Sequence, residues 1–312
     1  MSYEGKVLKE LLPMLENNIK FDLNKDLEMV RNLKAPSIEK SDKVLTTTCT
    51  IKGPGSELLL KVYEPKIRQN EKLPAVFWIH GGGYVMGHPD GDDALCECFT
   101  EKIKCIVVSI DYRLAPEHKY PAAIEDCYAG LKWTVSKAEE LKIDTSRIAI
   151  AGASAGGGLT AALALMVRDR GEIKVAFQAP LYPMLDDRNV TPSSHEINEK
   201  NLPKAWNREA NEIAWKMYLG SNISGETSYY AAPARAKDLT GLPPAYIFIG
   251  QLDPFRDETL EYVTRLVQAG IPVEFHLYPG CFHGFDSIFN NTEISRQARS
   301  EYINAISKAL NK

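Results

Sequence analysis

The sequence predicts an α/β fold, a mostly parallel central sheet flanked by helices and carrying a helical cap. Three observations predict it. Short apolar runs rich in β-branched and aromatic residues recur along the chain, as expected of strands buried on both faces. Helix-patterned segments alternate with those runs, the arrangement of a sheet covered on both sides. Two further stretches break the alternation, and insertions of that length in an α/β domain are more often functional than idle.

In chain order, residues 1–40 are helical in pattern, with Val7, Leu8, Leu11, Leu12 and Leu15 on one side and Pro13 as a kink. Residues 43–51 and 57–63 flank Gly53-Pro54-Gly55, a turn signal that predicts an antiparallel hairpin at the sheet edge. Strands follow at 73–79, 105–110, 147–151, 174–179, 245–249 and 273–278. Helices are predicted over 91–102, 122–141, 155–170, 256–269 and 293–310, with Gly270 where a C-cap glycine belongs. Residues 184–225 form the second irregular stretch and hold a helix-like 204–219. The domain division is therefore 1–40 as the N-terminal part of a cap, 184–225 as its second part, and 41–183 with 226–312 as one catalytic domain.

At 312 residues, 44% hydrophobic and 25% charged, the chain has the material for a sizeable core. A net charge of −4 with scattered lysines gives no reason to expect nucleic acid or an anionic membrane as partner. Met1 to Lys20 lacks a continuous apolar run, so no signal peptide is expected. No stretch approaches the ~20 apolar residues of a membrane span. The six cysteines, Cys49, Cys96, Cys98, Cys105, Cys127 and Cys281, form no C-x-x-C pair and no zinc-like spacing. They read as reduced thiols of a cytoplasmic protein. In that setting the sequons at Asn222 and Asn290 are accidental.

The chemistry starts at Gly152-Ala153-Ser154-Ala155-Gly156, where a predicted strand feeds a predicted helix. G-x-S-x-G in that context is a nucleophile elbow, whose tight turn lifts the serine hydroxyl clear at the helix N-terminus. A serine needs a base within hydrogen-bond reach, and in this arrangement the order along the chain is serine, acid, histidine. Of six histidines only His276 and His283 lie far enough beyond Ser154. His276 falls inside the strand 273–278 and reads as a packed residue. His283 follows that strand in a loop, where α/β active sites gather, and is favoured. Asp253, just after the strand 245–249, is favoured as the acid that fixes the imidazole tautomer. Asp257 and Glu258 stand next, as early helix residues, and Asp186 and Asp187 are more distant alternatives. His80-Gly81-Gly82-Gly83 directly follows the strand 73–79. Its backbone N–H groups can turn toward a developing oxyanion together with the amide of Ala155. His80 is expected to shape this loop rather than titrate in catalysis.

Together these residues resemble the hormone-sensitive-lipase-like group of α/β-hydrolases, the bacterial family IV esterases. The resemblance rests on His80-Gly81-Gly82-Gly83-Tyr84, Asp111-Tyr112-Arg113-Leu114-Ala115-Pro116-Glu117 and Pro121-Ala122-Ala123. It also rests on 152–157, Asp253-Pro254-Phe255-Arg256-Asp257-Glu258 and His283-Gly284-Phe285, in order over about 40–310. It implies an α/β-hydrolase fold, the triad Ser154, Asp253 and His283, and the oxyanion donors Gly82, Gly83 and Ala155. It further implies a cap from the N-terminal helices and 184–225, and hydrolysis of short- to medium-chain carboxylic esters through an acyl-enzyme. No metal or organic cofactor is called for. Ala153 departs from the pattern, because many members carry Asp or Thr there.

Tyr84, Trp206, Trp215 and Tyr218 are aromatic residues on the cap side that can line a pocket or simply fill the core; Tyr84, Trp206 and Trp215 are the nominated substrate contacts. Cys281, two residues before His283, reads as packing, with sensitivity to thiol reagents as its alternative. The partner expected is a small-molecule ester. A homodimer through the edge strand 273–278 is an expectation of the resemblance. Two other readings share the same residues: an amidase or aryl-ester hydrolase on the same triad, and a non-catalytic small-molecule receptor of the same fold.

Overall fold

A computed structural model of the chain describes residues 3–17, 20–33, 40–68, 71–220, 226–288 and 291–311. Single 3₁₀ turns at Tyr3–Lys6 and Lys9–Leu11 lead into α1 (Leu12–Asn17) and α2 (Leu23–Arg31). The hairpin β1 (Val44–Lys52) and β2 (Glu57–Pro65) precedes β3 (Leu73–Ile79), α3 (Asp93–Phe99) and β4 (Ile106–Asp111). Then come α4 (Ala122–Ser136), α5 (Ala138–Leu141), β5 (Ile143–Ala153), α6 (Ala155–Arg170) and β6 (Phe177–Leu181). Next are α7 (Pro192–Glu196), α8 (Arg208–Leu219), β7 (Ala245–Leu252) and α9 (Arg256–Gln268). The chain ends on β8 (Val273–Phe282), α10 (Phe285–Ile288) and α11 (Glu293–Leu310).

One eight-stranded sheet runs in the order β1-β2-β4-β3-β5-β6-β7-β8. β2 pairs antiparallel with β1 and β4, and the remaining pairs are parallel. Central strands lose both faces to helices, so β3, β6 and most of β4 and β5 are buried along their length. The carboxyl ends of β3, β5, β6, β7 and β8 come to the same edge of the sheet, where a site is to be sought.

Several boundaries differ from expectation for identifiable reasons. Pro13 is the second residue of α1 and makes no kink, because the first turn needs no amide from it. β8 is an edge strand, so its residues up to Leu277 are half-buried or exposed instead of covered on both faces. It also runs on through Pro279 and Gly280 to Phe282, since a register shift against β7 at Gly250/Leu252 absorbs them. β6 starts at Phe177 and carries Pro180 to Leu181, beyond the expected end at 179. The expected helix 204–219 starts at Arg208, where the Asn207 side chain accepts a hydrogen bond from the Ala210 amide at 3.1 Å. The sequon residues Asn222 and Asn290 lie outside the described residues. Among the described residues, no helix is long and apolar enough to cross a membrane. All six cysteines are free.

One buried ion pair fixes the loop after β4. Asp126 on α4 is fully buried and accepts from the Arg113 amide at 3.1 Å, from Nε at 2.8 Å and from an Nη at 2.7 Å. Removing one partner leaves a charge without compensation in the interior. Asp126→Ala is expected to lower the unfolding free energy by about 2–4 kcal/mol, below the full cost of an orphaned buried charge because Arg113 keeps some contact with solvent. A urea denaturation series against the parent protein measures it.

Candidate active site

β5 ends in a turn that ordinary side chains rarely make. Ser154 has φ 57° and ψ −117°, a backbone region costly for a residue with a Cβ. Backbone hydrogen bonds hold it there. Its amide donates to Leu181 O at 2.9 Å, and its carbonyl accepts from Gly158 N at 2.9 Å and Met184 N at 3.0 Å. The turn also demands close approach: a Cβ on Gly156 would lie 2.1 Å from Ile79 O, so only glycine brings α6 against the end of β3. With this backbone lattice in place, the elbow is held without an Asp or Thr at position 153.

Ser154 Oγ lies 2.8 Å from His283 Nε2, and His283 Nδ1 lies 2.7 Å from Asp253 Oδ2. A carboxylate only accepts, so Nδ1 carries the proton and Nε2 presents its lone pair to the serine hydroxyl. Asp253 is fully buried, and the Phe255 amide donates to its other oxygen at 2.9 Å. The imidazole sits against the edges and faces of three rings: Phe255 at 4.9 Å and Tyr182 at 5.2 Å, both T-shaped, and Trp206 at 6.2 Å. Tyr182 and Phe255 escape a reading of sequence. Phe255 stands within the segment after Asp253, but no periodicity shows that it turns toward His283.

The glycine loop after β3 approaches the elbow from the other side. Gly82 adopts φ +120°, and a Cβ there would lie 2.0 Å from Met86 O. Among the described residues, no loop or cap hydrogen bond uses the amides of Gly82, Gly83 or Ala155. His80 behaves as a framework residue: it is buried, its ring stacks on Tyr112 at 4.2 Å, and its Nδ1 donates to Gly81 O at 2.7 Å. Burial pushes it down to about 4, so the ring is neutral at physiological pH.

The other nominated residues go elsewhere. His276 lies beside Glu274 at 3.1 Å and Glu301 at 3.4 Å on the outer edge of β8. Asp257 accepts from the Ser193 amide at 2.7 Å, Asp186 pairs with Arg188, and Asp187 pairs with Arg235. Glu258, expected as an early helix residue, is buried and accepts from the amides of Leu185 and Asp186 at 2.8 and 3.1 Å. Burial holds its carboxyl well above the ordinary range, against the pull of those two amides toward ionisation. Tyr84 and Trp215 are core residues with 1% and 3% of their surface exposed. Tyr84 stacks on Tyr218 at 4.1 Å and donates to Met184 O at 3.0 Å, which leaves it no face for a ligand. Trp206, half-buried, is the nominated aromatic beside the triad geometry, with its ring 2.5 Å from where a Gly83 Cβ would stand. Cys281 is a buried thiol pushed up to about 12 by burial, consistent with a packing role.

A hydroxyl, an imidazole and a buried carboxylate hydrogen-bonded in series can move a proton from serine to histidine while stabilising the resulting cation. Comparison with known proteins points the same way. The family described as alpha/beta hydrolase fold matches residues 76–287. Esterase LipI of Mycobacterium tuberculosis is 37% identical over 75% of this chain and 73% of its own length. An arylesterase of Saccharolobus solfataricus is 33% identical over 85% of each chain. A solved structure, a bacterial heroin esterase, superposes with a TM-score of 0.89 at 37% identity and covers 98% of both chains.

The titration of His80 gives a test of its framework role. Its folded pKa of about 4 lies below the ordinary 6.5, so the unfolded chain binds the proton more readily between those values. The stability it contributes is complete above pH 6.5 and is lost as pH falls toward 4. Buried Asp286 and half-buried Asp92, both pushed up to about 6 by desolvation, act in the opposite sense: their contribution is present below pH 3.8 and lost as pH rises through 6. The histidine's share therefore appears only by difference. On going from pH 7 to pH 5, His80→Gln is expected to lose about 2 kcal/mol less stability than the parent, read from urea unfolding at both pH values.

Proposed function

The chain belongs to the α/β-hydrolase fold family, and we propose that within it the protein is a serine carboxylesterase with Ser154 as its nucleophile. The observation that carries this reading is the hydrogen-bonded series Ser154–His283–Asp253, at 2.8 and 2.7 Å, at the carboxyl edge of a parallel sheet. Relatives and structural neighbours named esterases, at 33–37% identity, support the ester as the bond attacked.

In this mechanism His283 Nε2 takes the Ser154 proton as Oγ attacks the ester carbonyl. Asp253 holds the ring in the tautomer that makes Nε2 the base and stabilises the imidazolium. The oxyanion is received by the amides of Gly82, Gly83 and Ala155, which each contribute roughly 3–4 kcal/mol to the transition state. His283 returns the proton to the leaving alkoxide, and water resolves the acyl-enzyme by the same route. The chemistry asks for no metal or cofactor. Residues 1–40 and 184–225 form the cap in this reading, with Trp206 as its contact to the substrate. The free thiols favour a reducing compartment, and the cytoplasm is the proposed location. Two copies joining through the half-exposed edge of β8 make a homodimer, a mass that light scattering measures.

Ser154→Ala is expected to abolish hydrolysis of p-nitrophenyl butyrate and labelling by a fluorophosphonate probe. Asp253→Asn is expected to lower kcat by about 10⁴ through loss of the correct tautomer, with KM little changed. Parent protein that takes no fluorophosphonate label would instead be the non-catalytic receptor. Acyl-chain series of p-nitrophenyl esters run beside anilides separate ester from amide hydrolysis.

A further inference from the structure

The rings around the imidazole of His283 differ in what they leave open. Phe255 and Tyr182 meet it edge-on and are buried, so they belong to the core. Trp206 is half-buried, and of the three it marks the side open to solvent. Ser154 and His283 keep only 7% and 9% of their own surface exposed, so the way to the hydroxyl is narrow and Trp206 stands beside it.

Shape holds this ring in place. Its indole N–H is buried and has no acceptor among the described residues. The six-membered ring crosses the spot where a Cβ on Gly83 would stand, with Cη2 2.5 Å and Cζ2 3.0 Å from it, so a bare Gly83 is what lets the tryptophan lie there. The adjoining backbone is fixed. The Asn207 side chain caps α8, and the Arg208 amide donates to Ile197 O at 2.9 Å, which closes the loop 197–208. A buried N–H without a partner costs stability, and such a group in a native fold calls for a reason beyond packing.

Trp206 therefore reaches from the glycine loop to the imidazole, and that position matches one half of a reacting ester. In the tetrahedral intermediate the oxyanion faces the amides of Gly82, Gly83 and Ala155. The alcohol oxygen must face His283 Nε2, which passes it the Ser154 proton as the bond from the carbonyl carbon to that oxygen breaks. The acyl substituent takes the remaining direction. The first carbons of the alcohol thus run along the imidazole, toward the ring on its open side. The centroids of Trp206 and His283 are 6.2 Å apart, with the planes at 36°. A carbon between two ring faces needs about 7–8 Å in all, at the usual van der Waals separation from each. The pair cannot sandwich an alkyl group, and only the mouth of the wedge admits one.

We propose that Trp206 sets the size of the alcohol half of the substrate, restricting the protein to esters of slender alcohols and excluding those with a ring on their first carbon, while the acyl half is not limited by it. The inference rests on the carboxylesterase reading and deepens it.

The test is a pH-stat comparison of the parent, Trp206→Ala and Trp206→Phe on ethyl acetate, cyclohexyl acetate and ethyl cyclohexanecarboxylate, which place the same ring on the alcohol side or the acyl side. Ratios of kcat/KM within one preparation cancel the fraction of protein that is folded. Trp206→Ala is expected to raise the ratio of cyclohexyl acetate to ethyl acetate by roughly tenfold, and Trp206→Phe to raise it by less. Both variants are expected to change the ratio of ethyl cyclohexanecarboxylate to ethyl acetate by less than about twofold. An alcohol-side ratio that stays the same in Trp206→Ala, or an acyl-side ratio that rises as much, overturns the role of Trp206 and leaves the esterase reading standing. A parent protein that hydrolyses none of the three esters overturns that reading and this inference with it.

Discussion

The structure is organised around a turn that must be both strained and closely packed. At Ser154 the chain leaves β5 with a positive φ and enters α6 within van der Waals contact of β3, a geometry with no room for a side chain at Gly156. Strain of this kind, of order 1–3 kcal/mol, persists only when the surroundings over-determine it. Here three neighbours supply the determination: Leu181 at the end of β6, Met184 just beyond it, and the first turn of α6 itself. Their order in the sheet follows from this, because β6 must lie beside β5 for Leu181 O to reach the Ser154 amide. The serine hydroxyl is thereby aimed at one point, and the histidine and glycine loops are built to meet it there.

The partner of His283 and the insertion are held by the same six residues. Asp253 orients His283, while three side chains at the start of α9 clamp the stretch from Leu185 to Glu196: Arg256 to Glu196 at 3.1 Å, Asp257 to the Ser193 amide, and Glu258 to two amides. Glu196 also accepts from Tyr3 Oη at 2.7 Å, which ties the N-terminal segment to the same node. The contributions differ by burial. The partly exposed pairs around Glu196 are worth about 1 kcal/mol each, whereas Glu258, with no solvent to fall back on, leaves two buried amides unpaired if removed. The insertion is therefore tied to the start of α9 where it leaves the sheet, and α8 is anchored separately through its buried residues Asn211, Ala214, Trp215 and Tyr218.

Much of this was legible in the sequence because parallel sheets announce themselves. Every central strand appeared as an apolar run, and the turn at Ser154 as a glycine-flanked pentapeptide between a strand and a helix. Position in the chain, after the last strand, separated His283 from His276. The less legible parts share one cause, which is that they depend on residues far apart in sequence. Pro180 and Pro279 read as strand ends, yet both lie inside strands because the backbone positions they occupy need no ladder donor or fall beside a register shift. Glu258 reads as an early helix residue; only the fold brings Leu185 and Asp186 over it. Tyr84 and Trp215 looked as able to line a pocket as Trp206 did, since aromatic spacing on a helix reports a buried face without saying what buries it. The rings around His283 come from three separate segments, and no local pattern connects them.

The distances along the chain have a consequence for how competence is acquired. Ser154 and His283 are 129 residues apart, and His283 and Asp253 are 30 apart. Contacts of such separation pay their loop-closure entropy before they return any energy, so they form late. Nor can Ser154 find its imidazole partner in a local neighbour, because the last strand must first be laid against β7. A refolding chain can rebuild most of its helices and the β3–β5 centre while remaining chemically silent. Recovery of turnover then marks closure of the sheet's final edge, and lags behind any optical signal that follows helix content.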